Sequence, residues 1–319
     1  MKHVSILPLH DATLSSIDSC YQLFSRVNDF MRYQGKPPFY DVRIVGLERN
    51  TQLGIYSIRS DQTVAEVNKT DVIVIPLLCG NFQNAIKENQ PYTKWLLSQY
   101  ESGCEIVCLC VGSFFLASTG LLDEKKCAVH WVAKNEFTGL FPRVRVMDNR
   151  IITDEDRIYT SGGGFSYLNL ILYVFEKHLG REVSILASKM FEIDIERRSQ
   201  NPFSIFIGQK AHGDELVTKA QEWIEKDPTE AFIVEDICEA LAVGRRTFER
   251  RFRKCTGNSI AEYIQRVKVE FAKQQLETGS KTVKEIGYET GYNDIDAFRK
   301  VFKKITDLSP ADYRKKYAV

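Results

Sequence analysis

Two stretches of the 319-residue chain place charged or reactive side chains at spacings that imply chemistry. In residues 245–254, Phe248 and Phe252 stand one helical turn apart while Arg245, Arg246, Arg250 and Arg253 occupy the other faces. A helix of that kind anchors its aromatic side in a core and offers guanidinium groups to a polyanion, although a charge run taken alone more often marks a solvated face. In residues 105–117 an apolar strand turns through Cys110, Val111, Gly112 and Ser113 into a helix. A thiol at such a corner meets the positive end of the helix dipole, which favours the thiolate; a small buried cysteine at a tight turn explains the same letters.

Repetition decides the first case. Val234, Ile237, Phe248, Phe252, Thr256, Ser259, Ala261 and Tyr263 recur as Val283, Ile286, Phe298, Phe302, Thr306, Ser309, Ala311 and Tyr313, offset by 49 residues before the turn and 50 after it. Each copy predicts a short helix (residues 234–240 and 283–290), a turn with glycine (Gly244, Gly291) and a longer helix bearing the phenylalanine pair, the layout of a helix-turn-helix. Between them residues 259–278 contain no glycine or proline and predict one helix capped by Ser259. Its length of roughly 30 Å approaches the roughly 34 Å between successive major-groove faces.

Residues 214–317 resemble the DNA-binding domain of AraC-type regulators, including the Gly291-Tyr292 turn and the closing Leu308-Ser309-Pro310-Ala311-Asp312-Tyr313-Arg314. The resemblance implies base-facing positions at Arg245, Arg246, Glu249 and Arg250 in the first reader helix, and at Ile295, Asp296, Arg299 and Lys300 in the second. Arginine pairs bidentately with guanine and glutamate accepts from cytosine, so the first helix has the chemistry for direct readout. Asp296 would repel phosphate, which leaves the second helix more suited to positioning.

In the first 180 residues, apolar runs (4–9, 42–47, 72–78, 105–110) alternate with helical patterns (16–33, 91–102, 113–119, 165–179), which predicts an α/β domain with a mostly parallel sheet covered on both faces. Residues 4–203 resemble the flavodoxin-like PfpI-type, class I glutamine-amidotransferase-like domain in the form found in GlxA-like regulators. Cys110-Val111-Gly112-Ser113-Phe114 matches the nucleophile elbow, and Gly120-Leu121-Leu122-Asp123 followed by His130-Trp131 matches the stretch that brings the histidine. Phe141-Pro142-Arg143-Val144, Thr160-Ser161-Gly162-Gly163 and Leu179-Gly180-Arg181 continue the match. The resemblance implies a pocket at Cys110, Gly112, Ser113 and His130. The acid of the hydrolytic members is replaced by Ser16 unless Asp18 has taken its role, so the expectation is a site that binds without turnover, not an enzyme. The rival is a thiol-dependent amidase or hydratase with a regulatory DNA-binding tail. Ser161-Gly162-Gly163-Gly164 lacks dinucleotide-fingerprint spacing and reads as close packing rather than a phosphate cradle.

The expected division is a sensing and dimerisation domain at residues 1–190, a linker at 191–213 with an island at 203–207 docked on one domain, and an all-α reader domain with two helix-turn-helix units at 214–319. Hydrophobic residues make up 44% and charged residues 27%, ordinary for a globular protein. Net charge is only +1, and residues 214–319 hold 20 Lys+Arg against 19 Asp+Glu, so the basic footprint is focused in residues 245–254 and 299–304. Eight cysteines without C-x-x-C pairs predict reduced thiols and no metal site, and His3, His10, His178 and His212 are isolated. No signal-peptide core or membrane-length run is visible, so the expected location is the cytoplasm. The expected partners are double-stranded DNA, a second copy through the first domain, a small-molecule effector and RNA polymerase, with no cofactor and no membrane.

Overall fold

The computed structural model describes residues 1–210, 212–230 and 232–319. Its strands are β1 (Lys2–Ile6), β2 (Tyr40–Gly46), β3 (Asn50–Leu53), β4 (Tyr56–Arg59), β5 (Gln62–Thr63), β6 (Val72–Ile75), β7 (Glu105–Cys108), β8 (Lys126–Cys127), β9 (Arg145–Val146), β10 (Ile152–Glu155) and β11 (Ile158–Ser161). The helices of the same region are α1 (Leu14–Tyr33), α2 (Phe82–Asn89), α3 (Thr93–Glu101), α4 (Ser113–Ser118), α5 (Lys134–Leu140), α6 (Tyr167–Leu179) and α7 (Arg181–Met190). Among the described residues seven strands form one sheet in the order β10-β11-β7-β6-β1-β2-β5, parallel except for the antiparallel β10–β11 edge. Val4 on β1 lies opposite Val42 on one side and Val72 on the other. The chain leaves β1 to one side and later returns to the other, so the strand order reverses between β1 and β6, where open α/β sheets bind ligands beyond their carboxyl ends.

Burial explains why the alternation was readable. All four residues of β6 and of β11 are buried, and Phe24 of α1, Tyr40 of β2 and Phe175 of α6 meet edge-on in the core. The β10–β11 pair and α7 were absent from the periodicity reading. Strand β10 is a polar edge, Ile-Thr-Asp-Glu, with one buried residue, Thr153, and such edges carry little hydrophobic signal.

Under the amino ends of the central strands sits a partly buried polar cluster. Glu105 accepts hydrogen bonds from Lys2 Nζ and Tyr159 Oη, both at 2.7 Å, and from His178 Nε2 at 3.0 Å, while His178 Nδ1 lies 2.9 Å from Tyr40 Oη. His178 is thus not isolated; it joins α6 to β2 and β7. Burial alone would raise the Glu105 pKa, but the bonds from His178, Lys2 and Tyr159 outweigh it and hold the carboxyl well below the usual range.

The chain divides into two compact units, Met1–Gln200 and Asn201–Val319. The second contains α8 (Glu215–Lys226), α9 (Val234–Ala240), α10 (Arg245–Thr256), α11 (Ile260–Thr278), α12 (Val283–Glu289), α13 (Ile295–Thr306) and α14 (Pro310–Tyr317). Helix α11 is unbroken, and a reciprocal capping box between Ser259 and Glu262 starts it. Its first half gives Ile260, Tyr263, Ile264 and Val267 to a core with Phe248 and Phe252; its second half gives Val269, Ala272 and Leu276 to a core with Phe298 and Phe302. All four phenylalanines are fully buried. The first turn differs from its reading, because the left-handed residue there is Ala242 (φ 51°), while Gly244 is extended and caps α10. Gly291 (φ 75°) holds the equivalent place in the second turn.

The island at residues 203–207 docks on the second unit. Phe206 packs edge-on against Tyr263, its N–H donates to Glu270 at 3.0 Å, and Lys273 Nζ donates to Ser204 O at 2.6 Å. Ala211, within the expected linker, lies outside the described residues. No helix among the described residues is long and apolar enough to cross a membrane.

A carboxylate whose pKa is lowered on folding contributes stability above its unfolded value, which is lost as pH falls through the folded one. Glu105→Gln should therefore cost about 3 kcal/mol at neutral pH and flatten the acid limb of stability below about pH 4.5. Urea denaturation of both proteins across that range reads the difference.

Candidate sensor pocket and nucleic-acid interface

The corner after β7 is built as the motif suggests. Cys110 opens a single 3-10 turn, Cys110–Gly112, that leads into α4. Its φ of 50° lies in the left-handed region, which costs a side-chain-bearing residue about 1–2 kcal/mol. Hydrogen bonds hold it there: Cys110 N–H donates to Ser161 Oγ at 3.0 Å, and Leu109 N–H donates to Ile75 O at 2.9 Å. Gly112 permits the close approach, since a Cβ would stand 2.4 Å from Pro76 O. Cys110, Gly112 and Ser113 thus gather at the carboxyl ends of β6, β7 and β11.

The thiol is not activated. Cys110 is 1% exposed, and burial pushes its pKa up to about 12 against the opposing backbone hydrogen bonds of Val111 and Gly163. Desolvation therefore outweighs the helix-end effect, in keeping with a small buried cysteine at a tight turn. His130 caps the turn Trp131–Ala133, and its Nδ1 accepts the Val132 N–H at 3.2 Å, leaving the ring proton on Nε2. Burial first, and the positive charge of Arg197 second, lower its pKa. A neutral thiol and a neutral imidazole make no nucleophilic ion pair, and among the described residues no hydrogen bond joins Cys110 to His130.

Ser16 is buried; its hydroxyl donates to Thr13 O at 2.9 Å and accepts the Leu77 N–H at 3.2 Å, a structural tie between α1 and the segment after β6. Asp18 is exposed on α1, and among the described residues it has no hydrogen bond to Cys110 or His130. Ser161 turns its hydroxyl to Cys110 and is fully buried, in keeping with close packing of the glycine turn. Gln200 was placed in the linker by the sequence, yet its amide is buried against the backbone of residues 129–131 and 148–150. No local pattern announces such a residue, since its partners are main-chain groups distant in sequence.

On α10 the stripe Arg246, Arg250 and Arg253 is exposed, and among the described residues these side chains have no ion-pair partner. Arg245 instead pairs with Glu235 and with Glu249 at 3.1 Å, which stiffens both. Arg251 faces α8, where it pairs with Asp214, the cap of that helix. On α13, Arg299 and Lys300 are exposed, and Arg299 pairs with Asp296 at 3.1 Å, neutralising the carboxylate that would repel phosphate. Ile295 corrects its implied base-facing role: it is half-buried and packs into the core of Phe298 and Phe302. Lys303 and Lys304, in the last turn, are exposed.

Residues 39–177 match the DJ-1/PfpI family, and residues 237–316 match a helix-turn-helix domain. The HTH-type transcriptional regulator GbdR of Pseudomonas aeruginosa is 26% identical over 242 residues, 75% of this chain; the match spans 65% of GbdR's own length. The HTH-type transcriptional regulator GlxA of Rhizobium meliloti is 22% identical over 218 residues, covering 64% of this chain and 63% of GlxA. A solved structure of a candidate transcriptional regulator from Vibrio parahaemolyticus superposes with a TM-score of 0.53 at 21% identity, covering 59% of this chain and 98% of that one, a likeness of fold. The class is thereby defined: an α/β domain of DJ-1/PfpI type joined to a double helix-turn-helix domain. More particularly, the two matched segments lie in a chain that is similar in sequence to the transcriptional regulators GbdR and GlxA.

Thiol labelling checks the pocket chemistry. Iodoacetamide at about pH 7.5 should modify exposed Cys79 well before buried Cys110, whose rate should still be rising at about pH 10. Peptide mass spectrometry over time separates the two, and a Cys110 midpoint below about pH 8 would contradict the buried-thiol assignment.

Proposed function

We propose that the protein is a sequence-specific DNA-binding transcriptional regulator acting in the cytoplasm, whose first domain pairs with a second copy and binds a small metabolite near Cys110 and His130 without turning it over. The observation that carries the reading is the pair of helix-turn-helix units built on opposite halves of one unbroken helix, α11, with an exposed arginine stripe, Arg246, Arg250 and Arg253, on the first reader. Arg246, Glu249 and Arg250 supply the base-reading chemistry, with Arg245 held at the helix start by its acidic partners. Arg299 and Lys300 fix the second reader on the backbone, Asp296 being spent on Arg299. RNA polymerase is the partner through which such a protein would act on transcription. Non-catalysis is supported by the high thiol pKa, the neutral histidine and the loss of an acid at Ser16. A thiol enzyme would lose its function in Cys110→Ala; the reading here expects that variant to keep DNA binding.

Genomic fragments recovered by the purified chain at stated salt supply the site. On that site Arg250→Ala should cost about 1–3 kcal/mol and relax preference at one base step, while Lys303→Ala should weaken cognate and random DNA alike. Equal losses on both DNAs for both variants would refute the assignment of roles.

A further inference from the structure

A recess of about 840 Å³ opens in the first unit, lined by the edge strand β10, by α6, by the start of α7 and by Ile195, Arg197 and Arg198. Its size lies within the roughly 300–1,000 Å³ usual for small-molecule sites. Its lining includes none of Cys110, Gly112, Ser113 and His130. One wall is fixed because the chain beyond Ile195 is laid along residues 149–151. Ser199 bridges Arg150 in the antiparallel sense, the Ile151 N–H donates to Arg198 O at 3.4 Å, and the Gln200 N–H donates to Asn149 O at 3.3 Å.

The charges around this recess are unbalanced. Five cations line it, Lys126, Arg150, Arg181, Arg197 and Arg198, against two carboxylates, Asp154 and Glu176. Both carboxylates are already engaged: Asp154 Oδ2 accepts from Tyr173 Oη at 2.6 Å and from Lys177 Nζ at 2.8 Å, and Glu176 pairs with Arg181 at 2.8 Å. Lys126, Arg150 and Arg198 are exposed and form no ion pair among the described residues. Between the cations the surface is apolar. Met147, Ile152 and Ile195 are half-buried in the lining, and Ile151 and Leu172 are buried there. A positive field around an apolar wall suits a ligand that carries both a negative group and a hydrocarbon body.

We propose that this recess binds a small organic anion, a carboxylate or phosphate ester whose charged group is held by Arg150 and Arg198 and whose apolar body lies against Met147, Ile152 and Ile195. Guanidinium groups take both kinds of oxyanion through paired hydrogen bonds, and such charge-assisted bonds strengthen as water leaves the site. A nucleic-acid backbone would need basic groups in file along an open surface, whereas these surround a space that one small molecule fills. The site is distinct from the metabolite pocket at Cys110, and its occupation depends neither on that reading nor on DNA binding. Arg197 lines the recess and its charge is also felt at His130, so the two sites are neighbours.

Isothermal titration calorimetry on the full-length chain at fixed ionic strength tests the assignment. Phenyl phosphate and benzoate carry both an anion and an apolar body, inorganic phosphate lacks the body, and benzyl alcohol lacks the charge. At least one of the two organic anions is expected to bind, and inorganic phosphate and benzyl alcohol are expected to bind about 10-fold or more weakly than it; which anion is preferred separates a phosphate from a carboxylate ligand. The double variant Arg150→Gln/Arg198→Gln is expected to weaken that anion by about 10-fold or more. Lys36→Gln/Arg59→Gln removes the same charge from exposed positions outside the recess and is expected to leave binding unchanged. Should the first double variant fold poorly, phenylglyoxal labelling of the unaltered chain reads the same contact: the bound anion is expected to slow modification of Arg150 and Arg198 but not of Arg59. Equal affinities in the two double variants, protection confined to the arginines of α10, inorganic phosphate binding as tightly as the organic anions, or no binding by either organic anion would each overturn the site.

Discussion

The second half of the molecule depends on a single constraint: α11 must remain one straight helix with apolar residues on two successive stretches of its surface. Neither helix-turn-helix unit closes a core alone. Phe248 and Phe252 share their core with Ile260, Tyr263, Ile264 and Val267 of α11, and Phe298 and Phe302 share theirs with Val269, Ala272 and Leu276 of the same helix. Two buried lysines reinforce this arrangement from the same helix. Lys268 reaches the Thr290 carbonyl beside the second turn, and Lys273 reaches Ser204. A helix break near Lys268 would therefore change the spacing of the readers and uncover apolar surface on both sides at once.

Much of this was legible in the sequence, because duplicated letters report duplicated environments. The eight repeated positions are largely core or capping positions in the fold, and the absence of glycine and proline from residues 260–278 is the absence of any device that would end the helix. The central strands were visible for the same reason, as continuous apolar runs. What escaped were features whose partners are backbone atoms or distant side chains. Gln200 bonds to main-chain carbonyls some fifty to seventy residues away, and Glu105 gathers Lys2, Tyr159 and His178 from three other elements. Ile295 was assigned outward from its place in a motif, yet an isoleucine at the start of α13 gains more from packing under Phe298 than from solvent.

In the first domain, two effects compete over one sulfur atom. The helix beginning at Ser113 offers partial positive charge, and the protein interior withdraws water. Withdrawal prevails, as it does when a thiol is almost wholly enclosed and no full positive charge accompanies it. The corner geometry is therefore kept while its reactivity is not. The consequence is a close-packed corner around an uncharged thiol, shaped by Ser161, Gly112 and Gln200, with the Arg197 guanidinium beside His130.

The two turns of the reader domain close with the same pattern of hydrogen bonds, Val243 to Cys238 in one and Tyr292 to Gly287 in the other. They differ in the residue that bears the left-handed backbone, Ala242 against Gly291. A methyl group in that conformation costs roughly 1 kcal/mol that glycine avoids. The corners are consequently unequal in backbone strain. The helix that bears Arg246, Arg250 and Arg253 thus follows the more strained of the two corners.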